Sequence, residues 1–321
     1  MRSVSKNKQP KCSIVIRCYN EEKHIGKLLN GILQQSIEDK EIIVVDSGST
    51  DSTLSVALTY PVKILSIKPG EFSFGRSLNI GCNAARGEYI VMASAHVYPV
   101  YKDWLKQLLD PFSNPRISLV YGKQRGHQRT RYSEHQVFAK WFPAESKISQ
   151  NDPFCNNANS AIRREIWKKI PYDESLTGLE DIDWAKKTME LGYNIAYQAD
   201  AEIIHVHNET PRQTYNRYRR EAIALRHIFP NERFDFRDFS RLLLINILTD
   251  YKQSIHDGVF GKQWVGIPKF RIMQFLGTYH GFYQRSPITN SLKHAFYYPN
   301  HKKAWSEKNQ PTDKDRPLVD Y

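Results

Sequence analysis

Only four cysteines, Cys12, Cys18, Cys82 and Cys155, occur in 321 residues. They show no CxxC spacing, which speaks against a zinc knuckle or a disulfide framework and fits a reducing compartment. Long apolar runs are missing too. The longest, Leu242 to Leu248 within RLLLINIL, falls well short of the roughly 20 residues a membrane helix needs. The start, MRSVSKNKQPK, is basic and polar, and the apolar stretch behind it is broken by Arg17, so neither a secretory leader nor a span is expected. No internal repeat is visible. No RNA- or DNA-reading motif accompanies the Tyr/Arg interleaving of residues 215–220, and nucleic acid is set aside as a partner.

What is present is enough apolar material, 40% of residues with 12% aromatic, to bury one large α/β core with an appendage. The net charge of +12 calls for an anionic partner, and a phosphorylated sugar donor, an anionic lipid surface and an acidic glycan all satisfy it.

Short β-branched runs at 13–16 (SIVI) and 41–45 (EIIVV) flank a helical pattern with Ile25, Leu28, Leu29 and Ile32 on one face, which reads as a βαβ unit with a right-handed crossover. A third strand is expected at 62–65, a helix over 78–85 and a buried strand at 89–92. Strands alternating with helices predict a Rossmann-like, mostly parallel sheet flanked by helices, with ligands outside the carboxyl ends of its strands. Further on, a strand is expected at 118–122, a helix over 182–191 stopped by Gly192, and two short strands at 195–198 and 202–206. The expected organisation is a flexible start over 1–11, a catalytic domain over 12–230, a helical C-terminal extension over 231–299 and a disordered tail over 300–321.

The loop after the second strand, DSGSTD at 46–51, sets Asp46 at a strand end, where a carboxylate can accept from a ribose hydroxyl or a base N–H. Asp51 and Ser49 have two readings, ligand or helix cap.

The segment SIVIRCYNEEKHIGKLLNGILQQSIEDKEIIVVDSGSTDST resembles the opening of the family 2 inverting glycosyltransferases, which have the GT-A fold. The resemblance continues through SLNIG at 77–81, ARGEYI at 85–90, GLEDID at 178–183 and AEIIHVH at 201–207. It implies a nucleotide-sugar donor site formed by Arg17, Tyr19, Asn20, Glu21, Asp46, Ser47, Asn79, Ser94 and Ala95. The family's Arg-Asn pair before the glycine stands here as Leu78-Asn79, with Arg76 nearby. Asn156 to Asn159 resembles a segment on the acceptor side and is expected to lead into a helix; its amides suit sugar hydroxyls or turns.

Where the family has a DxD motif whose last carboxylate holds a divalent cation, this chain has Ser94-Ala95-His96. Related GT-A enzymes use DxH, so the resemblance implies a cation, Mn²⁺ or Mg²⁺, on His96 with His205 or His207. Side chains two apart on a strand share a face, which lets both of the latter approach one ion. The other reading makes these histidines structural, or direct phosphate binders.

The resemblance also implies that Asp181 deprotonates an acceptor hydroxyl, with Glu180 beside it at a helix start and Asp183 as second choice. Helix capping is the competing role. The basic run 212–220 has two uses, near the diphosphate or on a solvated helix face.

The function implied is inverting transfer of a sugar from a nucleotide-sugar donor to a glycan or lipid-linked glycan in bacterial surface polysaccharide synthesis, on the cytoplasmic side. The alternative is a glycosyltransferase-like scaffold that has lost its metal site. Trp264, Phe270, Phe275, Tyr279, Phe282 and Tyr283, among lysines and arginines, suit peripheral contact with an anionic membrane, packing on the catalytic domain or a dimer contact.

Overall fold

The computed structural model describes residues 10–286 and 288–297. Most of the start expected to be flexible, and the whole tail expected over 300–321, lie outside the described residues. In chain order the elements are β1 (Cys12–Cys18), α1 (Ile25–Leu33), β2 (Lys40–Asp46), α2 (Thr53–Ala57), β3 (Lys63–Ser66), α3 (Phe74–Ala84), β4 (Tyr89–Ser94), β5 (Val97–Pro99), α4 (Trp104–Leu109) and β6 (Ile117–Gly126). They continue with α5 (Tyr132–Trp141), β7 (Asn159–Arg163), α6 (Arg164–Lys169), α7 (Glu180–Glu190), β8 (Asn194–His205), α8 (Pro211–Ile228), α9 (Phe236–His256), α10 (Phe260–Gln263), α11 (Gly266–Phe282) and α12 (Asn290–Tyr297). Two compact units divide the chain at residue 287. The second contains α12; everything from β1 to α11 belongs to the first.

One sheet of eight strands has the order β3-β2-β1-β4-β7-β6-β8-β5. β1, β2, β3 and β4 are parallel, β7 runs against β4 and β6, β8 returns parallel to β6, and β5 runs against β8. This is the α/β, mostly parallel architecture expected. β1 is buried along almost its whole length because helices cover both faces. Alternate residues serve opposite layers: Ile14 and Ile16 pack with Leu28, Leu29 and Trp104 on one side, and Val15 packs with Leu78, Cys82 and Trp184 on the other.

Two expectations need correcting. The short strands expected at 195–198 and 202–206 are one strand, β8, and its register against β6 jumps between Gly122 and Gln124. That bulge reads as a break in the sequence, although pairing resumes beyond it. The segment 156–159 leads not into a helix but into β7, whose Ser160, Ala161 and Ile162 are all buried between β4 and β6; α6 follows only at Arg164.

α8 lies against α11, and the close approach depends on glycine: a Cβ on Gly277 would strike the Tyr215 carbonyl, and one on Gly281 the Arg219 carbonyl and the Ala222 methyl. α9 packs in the reverse of the usual sense. Its buried residues are Asp250 and Ser254, whereas Leu244, Ile245, Leu248 and Ile255 are exposed. Asp250 earns its burial through Arg271 of α11, which donates from Nε and Nη2 to both carboxylate oxygens at 2.8 Å. Removing one partner strands the other charge in the interior, so Asp250→Asn is expected to cost about 3–5 kcal/mol, read as a lower urea midpoint at unchanged slope. Of the aromatics offered for a membrane surface, Phe270 and Phe275 are buried while Trp264 and Tyr283 are exposed. Among the described residues no helix is long and apolar enough to cross a membrane.

Candidate active site and metal centre

The loops after β1 and β2 are knitted together at the carboxyl edge of the sheet. The Asn20 amide donates to Ser49 Oγ at 2.9 Å, Asn20 Oδ1 accepts from the Thr50 amide at 2.8 Å, and the Glu21 amide donates to Thr53 Oγ1 at 2.7 Å. Asp46 is buried and accepts from the Gly48 amide at 3.0 Å and the Ser49 amide at 3.1 Å, while Ser47 Oγ donates to the Cys18 carbonyl. Asn20 sits at φ 54°, a left-handed conformation that asparagine tolerates. Tyr19 is half-buried on the same loop. Asp51 stands one residue before Ser52, the N-cap of α2, and accepts from the Thr53 amide in an Asx turn; the cap itself has no side-chain hydrogen bond.

Asn79 is engaged elsewhere. Its Oδ1 accepts from Trp167 Nε1 and the Tyr172 amide, and its Nδ2 donates to the Tyr172 carbonyl and to Glu174. All its polar capacity braces α3 against residues 167–174. Arg76 likewise pairs with Glu71 and Glu174.

β4 ends at Ser94, with Ala95 fully buried, and the chain turns through His96 into β5. β5 pairs with the end of β8, Val97 opposite His205, and the Val206 amide donates to the His96 carbonyl at 3.1 Å. That pairing brings His96 to His205 and His207, whose candidate ligand atoms all lie within 4.8 Å of one another. The Nε2 atoms of His205 and His207 are 3.0 Å apart. Each ring is anchored from behind through Nδ1: His96 on Glu21 at 2.7 Å, His205 on Gln124 at 2.8 Å and His207 on Glu134 at 2.7 Å. Such partners fix ring orientation and turn Nε2 inward, the arrangement around bound divalent ions.

Burial lowers the His205 pKa well below its ordinary value, and His207 and His96 reinforce this, so its imidazole stays neutral. Burial alone would raise the Glu134 carboxyl, but Arg217 and His207 outweigh it and hold it down at about 2. Arg217 also binds Glu209 at 2.9 Å. Gln124, Glu134 and Glu209 were not foreseen, because no motif marks side chains that act from behind a ring.

The second constellation lies at the start of α7. Burial, with Glu180 alongside, pushes the Asp181 carboxyl up to about 7, against the opposing effects of the Asn157 and Ile182 amides and Arg17. Asp181 accepts from the Asn157 amide at 2.9 Å. Arg17 reaches Glu180 at 3.2 Å and lies over the Phe74 ring, whose centroid is also 4.4 Å from Arg220. Asp183 is tied to Lys187 at 2.7 Å. The residue before the pair, Leu179, sits at φ 56°, a strained backbone for a leucine that aims the first turn of α7.

The two constellations adjoin. The Asn157 amide holds Asp181, the next residue's carbonyl accepts from the Ser94 amide at 3.4 Å, and His96 follows two positions on. Asn159 is structural: its amide accepts from Trp104 Nε1 and donates to the Lys123 and Ala201 carbonyls beneath the β8 bulge.

The family described as Glycosyl transferase family 2 matches residues 13–170. The chain is a glycosyltransferase that carries a family 2 domain. This glycosyltransferase is 28% identical over 221 residues to the O-antigen chain rhamnosyltransferase WbaN of Salmonella anatum, covering 65% of this chain and 70% of that protein. Its fold is that of a mannosyltransferase from Pyrobaculum calidifontis solved with GDP-Man and Mn²⁺, with TM-score 0.57 and 19% identity over 85% of this chain and 88% of that one. It is also that of Staphylococcus aureus TarS residues 1–349 solved with UDP-GlcNAc, with TM-score 0.52 and 18% identity over 87% and 95% of the two chains.

Proposed function

We propose that this glycosyltransferase moves a sugar from a nucleotide-sugar donor to a hydroxyl of a growing surface polysaccharide or its lipid-linked precursor, with inversion at the anomeric carbon. The observation that carries the reading is a buried carboxylate with a raised pKa, Asp181, adjoining a three-histidine cluster at the carboxyl edge of the sheet. The loops holding Asp46, Asn20 and Glu21 cradle the nucleotide. His96, His205 and His207 fit a divalent cation, since three ring nitrogens converge and each ring is anchored. When bound, that cation supplies positive charge to the donor diphosphate. Asp181 takes the proton from the acceptor hydroxyl, which attacks the anomeric carbon as the nucleoside diphosphate leaves. Arg17 compensates the charge of Glu180, and the Asn157 amide orients Asp181.

Polysaccharide as product class rests on the rhamnosyltransferase relative. Peripheral membrane contact rests on exposed Leu244, Ile245, Leu248, Trp264 and Tyr283, and co-flotation with anionic but not neutral vesicles is the result expected.

The donor site is tested by thermal shift with UDP-, GDP-, CMP- and dTDP-sugars. A ligand at about 100 times its Kd stabilises by about 2.7 kcal/mol. One nucleotide class is expected to raise Tm; no shift with any donor would leave a scaffold as the better reading.

A further inference from the structure

The three histidines offer nitrogen and nothing else. The candidate ligand group among the described residues is His96, His205 and His207, with no carboxylate in it. Of the acidic side chains beside it, Glu21 and Glu134 stand behind the rings on Nδ1, and Glu209 is held by Arg217. Gln124 faces His205 Nδ1 at 2.8 Å, which leaves His205 Nε2 turned toward His207. His207 is anchored in turn on a carboxylate oxygen. The Nε2 atoms of His205 and His207 face each other at 3.0 Å, and with His96 the three ligand atoms lie within 4.8 Å of one another, a spacing that one cation can bridge.

Donor chemistry then decides which cation. Magnesium and manganese favour carboxylate, carbonyl and water oxygens, whereas imidazole favours the later and softer first-row ions. We propose that this cluster is a three-imidazole centre selective for a borderline divalent cation of the zinc or cobalt(II) class over magnesium and manganese. The proposal rests on the reading that the cluster holds the cation of the donor site, and deepens it. Neutral ligands change the electrostatics as well: three imidazoles leave the ion its full double positive charge, where two carboxylates would cancel it. The centre therefore draws the donor diphosphate more strongly than a carboxylate site would, and phosphate oxygens complete the coordination that the three rings leave open.

The test uses the full chain stripped of metal by chelation, titrated calorimetrically with Zn²⁺, Mn²⁺ and Mg²⁺, with and without UDP or GDP, and followed with Co²⁺ by visible absorption. One equivalent of Zn²⁺ is expected to bind more than about 10³-fold tighter than Mn²⁺, with Mg²⁺ weaker still. Co²⁺ is expected to give the intense visible bands of a low-coordinate nitrogen site. His96→Asp, which puts an oxygen donor into the set, is expected to narrow the Zn²⁺ to Mn²⁺ ratio by about tenfold or more. Mn²⁺ or Mg²⁺ binding within about tenfold of Zn²⁺ would overturn the selectivity while leaving a metal-dependent donor site standing. Failure of every cation to bind, with nucleotide binding intact, would overturn both the selectivity and the metal centre.

Discussion

Asp181→Asn is expected to lower the rate of sugar transfer by about 10³-fold, within the span that general-base catalysis contributes, while leaving donor affinity as it is. The change falls on the rate constant because the amide keeps the shape of the side chain and its place beside Asn157 but cannot take a proton. Wild-type kcat/KM should rise about tenfold per pH unit up to an inflection near 7, where Asp181 ionises, and the variant should lose that limb. Stability should move the other way. The folded pKa of Asp181 is raised above its ordinary value, so its contribution is fully present below about pH 4 and is lost as pH rises through about 7. At pH 8 the Asn variant should therefore melt at or above the wild-type temperature. A variant that melts lower and loses donor binding would show Asp181 to be structural instead.

His205→Ala should abolish cation binding, with affinity reduced by more than about a hundredfold, since even the partners behind a ligand are worth 10–100-fold. His205 is buried and its Nε2 lies beside that of His207, so no neighbouring group replaces it. Donor binding in the presence of the cation should weaken in parallel, whereas donor binding in EDTA should match the wild type. Calorimetry with and without chelator separates the two. Cation affinity unchanged by the substitution would make His205 a structural residue of the β8 end.

β1, β2 and β4 were legible because each is an apolar run buried between the layers. Ile14, Ile43 and Val91 are completely buried, and a strand buried on both faces cannot hide in a sequence. β7 was not legible, since its serine and alanine owe their burial to β4 and β6, not to their own chemistry. The histidine trio was readable from spacing and resemblance, and the pairing of β5 with β8 brings it together. Gln124 and Glu134 lie on β6 and α5, far from any motif, and only the folded chain shows them behind the rings. Asn79, assigned to the donor pocket by resemblance, braces the segment 167–174, a use that no local pattern announces. The burial of Asp250 on α9 is equally unannounced, because its partner Arg271 is a helix away.

The join between β5 and β8 also sets when the cluster comes into being during folding. His96 leaves the sheet at β4, an interior strand, yet β5 docks at the edge beyond β7, β6 and β8, on a strand finished more than a hundred residues later. Closing so long a span is entropically costly and waits on the intervening pairings. A ribosome-bound or half-folded chain thus has one of the three rings on one side of an open gap and two on the other. The three-ring cluster therefore exists only once that edge of the sheet has closed.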